Sequence, residues 1–159
     1  MIEQTLVLVK PDGVSRGLIG EIIRRFEQRG LKIVALKLTR IDHDFAKKHY
    51  ASHVDKSFYA SLEGYITEGP VVAMIVEGVD AVDNVRKLGG ATEGEAALPG
   101  TIRGDFTHMN YAHADEKNIS VKNVLHASGN PKDAKKEIAL WFSIDEIHNY
   151  KIAGEEHLI

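Results

Sequence analysis

Hydrophobic spacing along the chain changes period in a fixed order, and that order admits few architectures. Thr5–Val9 is a short β-type run stopped by the turn signature Lys10-Pro11-Asp12-Gly13. Ile19, Ile22, Ile23 and Phe26 then recur at i, i+3, i+4 and i+7 with Arg24, Arg25, Glu27 and Gln28 between them. This spacing predicts an amphipathic helix closed by Gly30. Leu31–Ile41 alternates and reads as a second strand, and Asp44–Ser52 and Phe58–Ile66 read as two helices joined by a polar turn. After the break at Gly69-Pro70, Val71–Val76 is a continuous apolar strand, and Asp80–Leu88 returns to helical spacing through Val82, Val85 and Leu88. Gly89–Gly104 has no period. Val121–Ala127 suits a last strand, and Asn130-Pro131 opens a helix to about Leu140, with Asn130 as N-cap and Asp133 at the third helical position. From Ser143 the chain reads as a short helix and an irregular end. Reduced to its main elements, the order is a ferredoxin-like βαββαβ plait of the α+β class: a four-stranded antiparallel sheet with helices packed on one face.

The 159 residues fit one domain, and no internal repeat, low-complexity tract or linker divides them. Net charge is -3, so no global basicity points to nucleic acid or an acidic membrane, and any anion site has to be built locally. A plait that binds nucleic acid is further disfavoured by the lack of an aromatic-rich strand. There are no cysteines, which excludes disulfides, thiolate metal sites and cysteine nucleophiles. The N-terminal residues form neither a basic leader nor a signal-length apolar run, and no later run approaches the ~20 residues of a membrane helix. The expected compartment is the cytoplasm.

The 14 glycines form neither a P-loop nor a dinucleotide-binding fingerprint. Polar residues concentrate instead in two loop-like stretches. Arg86 to Arg103, with Thr92 between them, sets two guanidiniums and a hydroxyl on glycine-bearing sequence, a combination suited to phosphate oxygens. The same pattern also describes arginines that merely face solvent. Asn123-Val124-Leu125-His126-Ala127-Ser128 places a histidine at a strand end just before a capped helix, where added negative charge is favoured. A structural histidine would fit there too. The other seven histidines, His43, His49, His53, His108, His113, His148 and His157, lie in polar surroundings and read as surface residues. His49 and His53 are spaced like a zinc pair, but no H-E-x-x-H or third ligand accompanies them, and no metal held directly by the protein is expected.

Together, Lys10-Pro11-Asp12-Gly13, Arg16-Gly17-Leu18-Ile19-Gly20-Glu21-Ile22, Pro99-Gly100-Thr101-Ile102-Arg103-Gly104-Asp105-Phe106 and Asn123-x-x-His126-x-Ser128 resemble nucleoside diphosphate kinases, in the family's order and from about Thr5 to Phe142. The resemblance implies ping-pong transfer of the terminal phosphate of a nucleoside triphosphate, mainly ATP, to a nucleoside diphosphate, which maintains NTP and dNTP pools. It implies His126 as the phosphorylated residue, Glu137 as its orienting carboxylate, Ser128 as support of that hydrogen-bond network and Tyr50 as a neighbour of the phosphohistidine. It further implies Lys10 at the sugar and phosphates, Arg86, Thr92 and Arg103 as the phosphate clamp, and Asn123 at the ribose hydroxyl. Phe58 matches the aromatic under the base, with Leu62 beside it. Mg²⁺ is expected to arrive on the nucleotide's phosphates, and the family assembles from dimers into tetramers or hexamers. The sequence departs from the family in three places. Gly129 and Asn130 stand where an aspartate and a second serine are common. Thr107–Lys122 is longer than the common pattern and reads as a surface excursion at subunit contacts or at the rim of the site.

Overall fold

The computed structural model describes residues 1–158. Its sheet has four antiparallel strands, β1 (Ile2–Val9), β2 (Lys32–Thr39), β3 (Val71–Val79) and β4 (Leu125–Ala127), in the order β2-β3-β1-β4. β1 pairs with β3 along its whole length, from Ile2 opposite Val79 to Val9 opposite Val72, and carries the short β4 on its other side, with Leu8 opposite His126. The α+β plait read from the sequence is the architecture of the chain.

Helices cover both faces of this sheet, not one. Leu6, Leu8, Ala73 and Ile75 pack against α3 (His43–His49), α4 (Tyr59–Thr67) and α8 (Pro131–Trp141), through Ala46, Ile66 and Trp141 among others. Val7, Val9, Val72, Met74 and Val76 pack against α2 (Ile19–Gln28), α5 (Ala81–Gly89) and α6 (Ile102–Phe106), through Ile22, Phe26, Val85 and Ile102. The cause lies in the two central strands. Leu6–Val9 and Val71–Val76 are apolar at consecutive positions, so side chains of both faces must leave water.

Three further elements fall where the sequence shows no period. α1 (Pro11–Ser15) occupies the turn signature, and α6 lies within the glycine-bearing stretch. α7 (Tyr111–Lys117) lies within the 107–122 excursion. α6 and α7 are too short for periodicity to register and are held by their caps: Thr101 Oγ1 accepts the Gly104 N–H, and Asn110 Oδ1 accepts the His113 N–H. The strand expected over 121–127 is confined to 125–127, because Val124 adopts a φ of 60° and breaks the extended chain.

Candidate active site

The break at Val124 builds the site. Leu125 N–H donates to the Asn123 carbonyl at 2.7 Å across Val124, a γ-turn with a β-branched residue at positive φ. Such a conformation costs about 1–3 kcal/mol and persists only where its surroundings fix it. Here Asp12 Oδ2 accepts the Val124 N–H at 3.3 Å. The Tyr65 hydroxyl donates to Asp12 Oδ1 and accepts the Asn123 N–H. From the other side Arg103 donates to the carbonyls of Asn123, Leu125 and Gly90 at 3.2, 2.8 and 2.7 Å. The turn directs the Asn123 side chain to Lys10, whose Nζ donates to Oδ1 at 2.8 Å, and it leads into β4 so that His126 lies opposite Leu8 of the central strand.

His126 Nε2 lies 3.1 Å from both oxygens of Glu137, which projects from α8. Ser128 Oγ donates to Glu137 Oε2 at 2.6 Å and accepts the Leu6 N–H at 3.2 Å. Burial works to raise the Glu137 pKa, but the His126 hydrogen bond and charge and the Ser128 hydroxyl outweigh it and hold the carboxyl below its ordinary value. An ionised Glu137 only accepts, so Nε2 carries a proton and Nδ1 of the neutral ring keeps its lone pair. Asn130 caps α8 by accepting the Asp133 N–H and donates back to the Asp133 carboxylate. That pair closes the start of the helix directly after Gly129.

One histidine read as a surface residue belongs to this centre. The His49 ring stands 4.7 Å from that of His126 at 76°, and its Nδ1 accepts the Trp141 indole N–H at 3.1 Å. With Nδ1 occupied as acceptor, the neutral ring carries its proton on Nε2, which is buried without a hydrogen-bond partner among the described residues. Burial, then the charges of His126, Lys10 and His53, put its pKa well below the usual imidazole value. The signal was its position: four residues after Phe45 and three after Ala46, on the apolar side of α3. Tyr50 is 6% exposed, its hydroxyl also lacks a partner among the described residues, and burial followed by the Glu137 charge pushes its pKa up. His49, His126 and Glu137 lie close enough to hold a metal ion, each offering an atom within 4.8 Å of the others. Trp141 opposes this: a metal on Nε2 would force the His49 proton onto Nδ1, where it would meet the indole N–H.

The cationic side of the site begins at Lys10, which is 6% exposed. Burial and the neighbouring charge of Arg103 lower its pKa to about 7, with Asp12 partly offsetting them. Burial and the Arg86 charge lower that of Arg103 to about 10. Crowded cations with depressed pKa values mark a place that gains by receiving an anion. Lys10, Asn123, Arg103 and Thr92 share one network, since Asn123 Nδ2 also donates to the Thr92 carbonyl at 2.9 Å. Three Arg103 donors, however, are committed to the backbone, so the expected phosphate clamp is also the brace of the γ-turn. Arg86 on α5 is exposed and acts on Arg103 through charge alone. Phe58 is 49% exposed ahead of α4, with Leu62 one turn on. Aromatic neighbours, His53 and then Tyr50, lead from it to the centre. The sequence reading missed Asp12, Tyr65, His49 and Trp141.

Comparisons with known proteins identify the relatives of the chain. The family model described as nucleoside diphosphate kinase matches residues 3–147. A nucleoside diphosphate kinase of Borreliella burgdorferi is 47% identical over 99% of this chain and 98% of its own. One from Pyrococcus abyssi is 53% identical over 96% and 92%. Among solved structures, a transition-state mimic of the Borrelia burgdorferi enzyme with vanadate and ADP superposes with a TM-score of 0.96 at 47% identity, covering 99% of this chain and 96% of that one. The Halobacterium salinarum enzyme in complex with CDP gives 0.88 at 44% identity, covering 99% and 98%. The chain belongs to the nucleoside diphosphate kinase family.

Proposed function

We propose that this protein is a nucleoside diphosphate kinase that carries the phosphoryl group on His126. The observation that carries the reading is the pairing of His126 Nε2 with Glu137, which leaves Nδ1 as the nucleophile. Nδ1 attacks the terminal phosphorus of a nucleoside triphosphate. The P–N bond forms as the bond to the bridging oxygen breaks, and the nucleoside diphosphate leaves with the electron pair. The resulting positive ring keeps its Nε2–H on Glu137, which Ser128 holds in place. A second nucleoside diphosphate then reverses the sequence.

Lys10, Arg86, Thr92 and Arg103 receive the phosphate oxygens, Tyr50 lies beside the transferred group, and Asn123 takes a ribose hydroxyl. The base lies on Phe58 next to Leu62, a contact any base can make. Mg²⁺ on the phosphate oxygens supplies further charge neutralisation. The side chains fit this arrangement: they present cations and neutral donors to the phosphates, and the metal-sized cluster is mostly imidazole, whereas Mg²⁺ takes oxygen ligands. The protein works as a homo-oligomer of dimers, tetrameric or hexameric. Leu36 and Leu38, 52% and 63% exposed on the edge strand β2, support a partner there. Among the described residues no helix is long and apolar enough to cross a membrane, and we place the activity in the cytoplasm.

The test is incubation with γ-labelled ATP and Mg²⁺, followed by a chase with a different nucleoside diphosphate. Acid-labile label on His126 that moves to the second nucleotide is the expected result, and His126→Ala should take up none while keeping its fold. Nucleotide exchange that persists in that variant would sink the assignment.

A further inference from the structure

The reading above, on which this inference rests, gives no task to residues 107–122, yet they join two of its residues. Arg103 lies on α6 immediately before the excursion, and Asn123 follows directly after it. Thr107 Oγ1 closes its base by donating to the Lys122 carbonyl at 3.0 Å. Between these ends the chain returns to a third. The Met109 carbonyl accepts the Gly94 N–H at 3.1 Å, Glu93 Oε1 accepts the Tyr111 N–H at 2.8 Å, and Asn110 Nδ2 donates to Glu95. Gly94 is pressed against the start of the excursion. A methyl carbon there would stand 2.6 Å from Thr107 Cγ2 and 2.8 Å from the Thr107 carbonyl oxygen.

Thr92 sits two residues before this contact, and its carbonyl is held by Asn123 on the far side. Gly89 ends α5 and Arg103 holds the Gly90 carbonyl, but Ala91 and Thr92 beyond them are exposed and add little packing to order the chain. A loop already ordered takes none of that entropy from nucleotide binding. We propose that the 107–122 excursion is a brace that holds the Thr92 segment at the phosphates of a bound nucleotide, with Glu93 and Gly94 as positioning residues. The excursion thereby couples all three of Thr92, Arg103 and Asn123.

The experiment compares the wild-type protein with Gly94→Ala, which forces the two backbones apart, and Glu93→Ala, which removes the acceptor of the Tyr111 N–H. For each, KM for a nucleoside diphosphate and kcat are measured, together with labelling of His126 by phosphoramidate, a donor that needs no nucleotide site. The brace predicts a rise in KM of about tenfold, the size expected for losing one or two hydrogen bonds. Labelling by phosphoramidate should stay within roughly twofold, as for a change remote from the reacting group. An unchanged KM in both variants would overturn the proposal, and so would a parallel loss of phosphoramidate labelling, which would mean general damage to the fold. Glu93→Ala keeps the test decisive if Gly94→Ala does not fold. Wild-type protein that takes phosphate from neither donor would overturn the phosphohistidine reading, and the brace with it.

Discussion

At the scale of single residues, the site gives up stability to hold charge. Lys10 is buried beside Arg103, and its pKa near 7 lies well below its ordinary 10.5. Between those two values the unfolded chain binds more protons than the folded one, so stability should rise as pH climbs from 7 toward 10.5 and be lowest below 7. Lys10→Met should therefore raise the melting temperature at pH 6, by an amount reflecting a stabilisation on the order of a few kcal/mol. It should also lower kcat/KM for nucleotide by about a hundredfold, the loss of a buried charge–phosphate contact. Thermal melts at pH 6 and pH 9 alongside kinetics check both halves; a variant that melts lower at pH 6 would contradict the burial argument. Residue type told much of this in advance, since a lysine at a strand end and a histidine in Asn-x-x-His-x-Ser are visible as letters. His49 was not, because a histidine among lysines reads as solvated until Phe45 and Ala46 are seen to turn inward with it.

At the scale of elements, the γ-turn at Val124 matters more than the strand it interrupts. Its strain is sustained by a hydroxyl, a carboxylate and a guanidinium contributed by α4, α1 and α6. Tyr65→Phe removes the hydroxyl that both donates to Asp12 and accepts from Asn123, leaving two buried groups unpaired. The expected loss is about 1–3 kcal/mol in chemical denaturation, with a larger fall in kcat/KM than in ADP affinity, because His126 and Asn123 would shift together. A variant with wild-type stability would show that water replaces the hydroxyl. The sequence predicted a strand over 121–127 because Val121, Val124 and Leu125 all favour one. Nothing local to those letters announces that Asp12 and Arg103, distant in the chain, will bend them. The assignment of helices to one face failed differently. The unbroken apolar runs of β1 and β3 already demand cover on both sides.

At the scale of the whole molecule, the C-terminal segment straps the exposed edge of the sheet. His148 N–H donates to the Val34 carbonyl at 2.8 Å, the Tyr150 hydroxyl to the Ile33 carbonyl at 2.6 Å, and Lys32 Nζ to the Tyr150 carbonyl at 2.9 Å. Lys32 is 8% exposed and also pairs with Glu77 and Glu155. A chain ending at Ile147 should lose on the order of 2–3 kcal/mol, each kcal/mol lowering the melting temperature by about 2–4 °C for a domain of this size. Its phosphate transfer at 25 °C should persist, since among the described residues the strap makes no hydrogen bond to the site; calorimetry and the exchange assay together check this. Full inactivation of a folded, truncated chain would place the segment in the site instead. The central position of β1 has a consequence for how the protein comes into being. Its partners across the sheet begin at Val71 and Leu125, and the carboxylate paired with His126, the proposed nucleophile, comes later still, at Glu137. A chain emerging from the ribosome thus holds Lys10 long before it can take up phosphate, which must wait until Glu137 has been made. Such distant pairings also slow folding, because the loops between partners must close before the contacts reward it. Synthesis stopped short of Glu137 would yield a nascent chain that is silent, not one that is partly active.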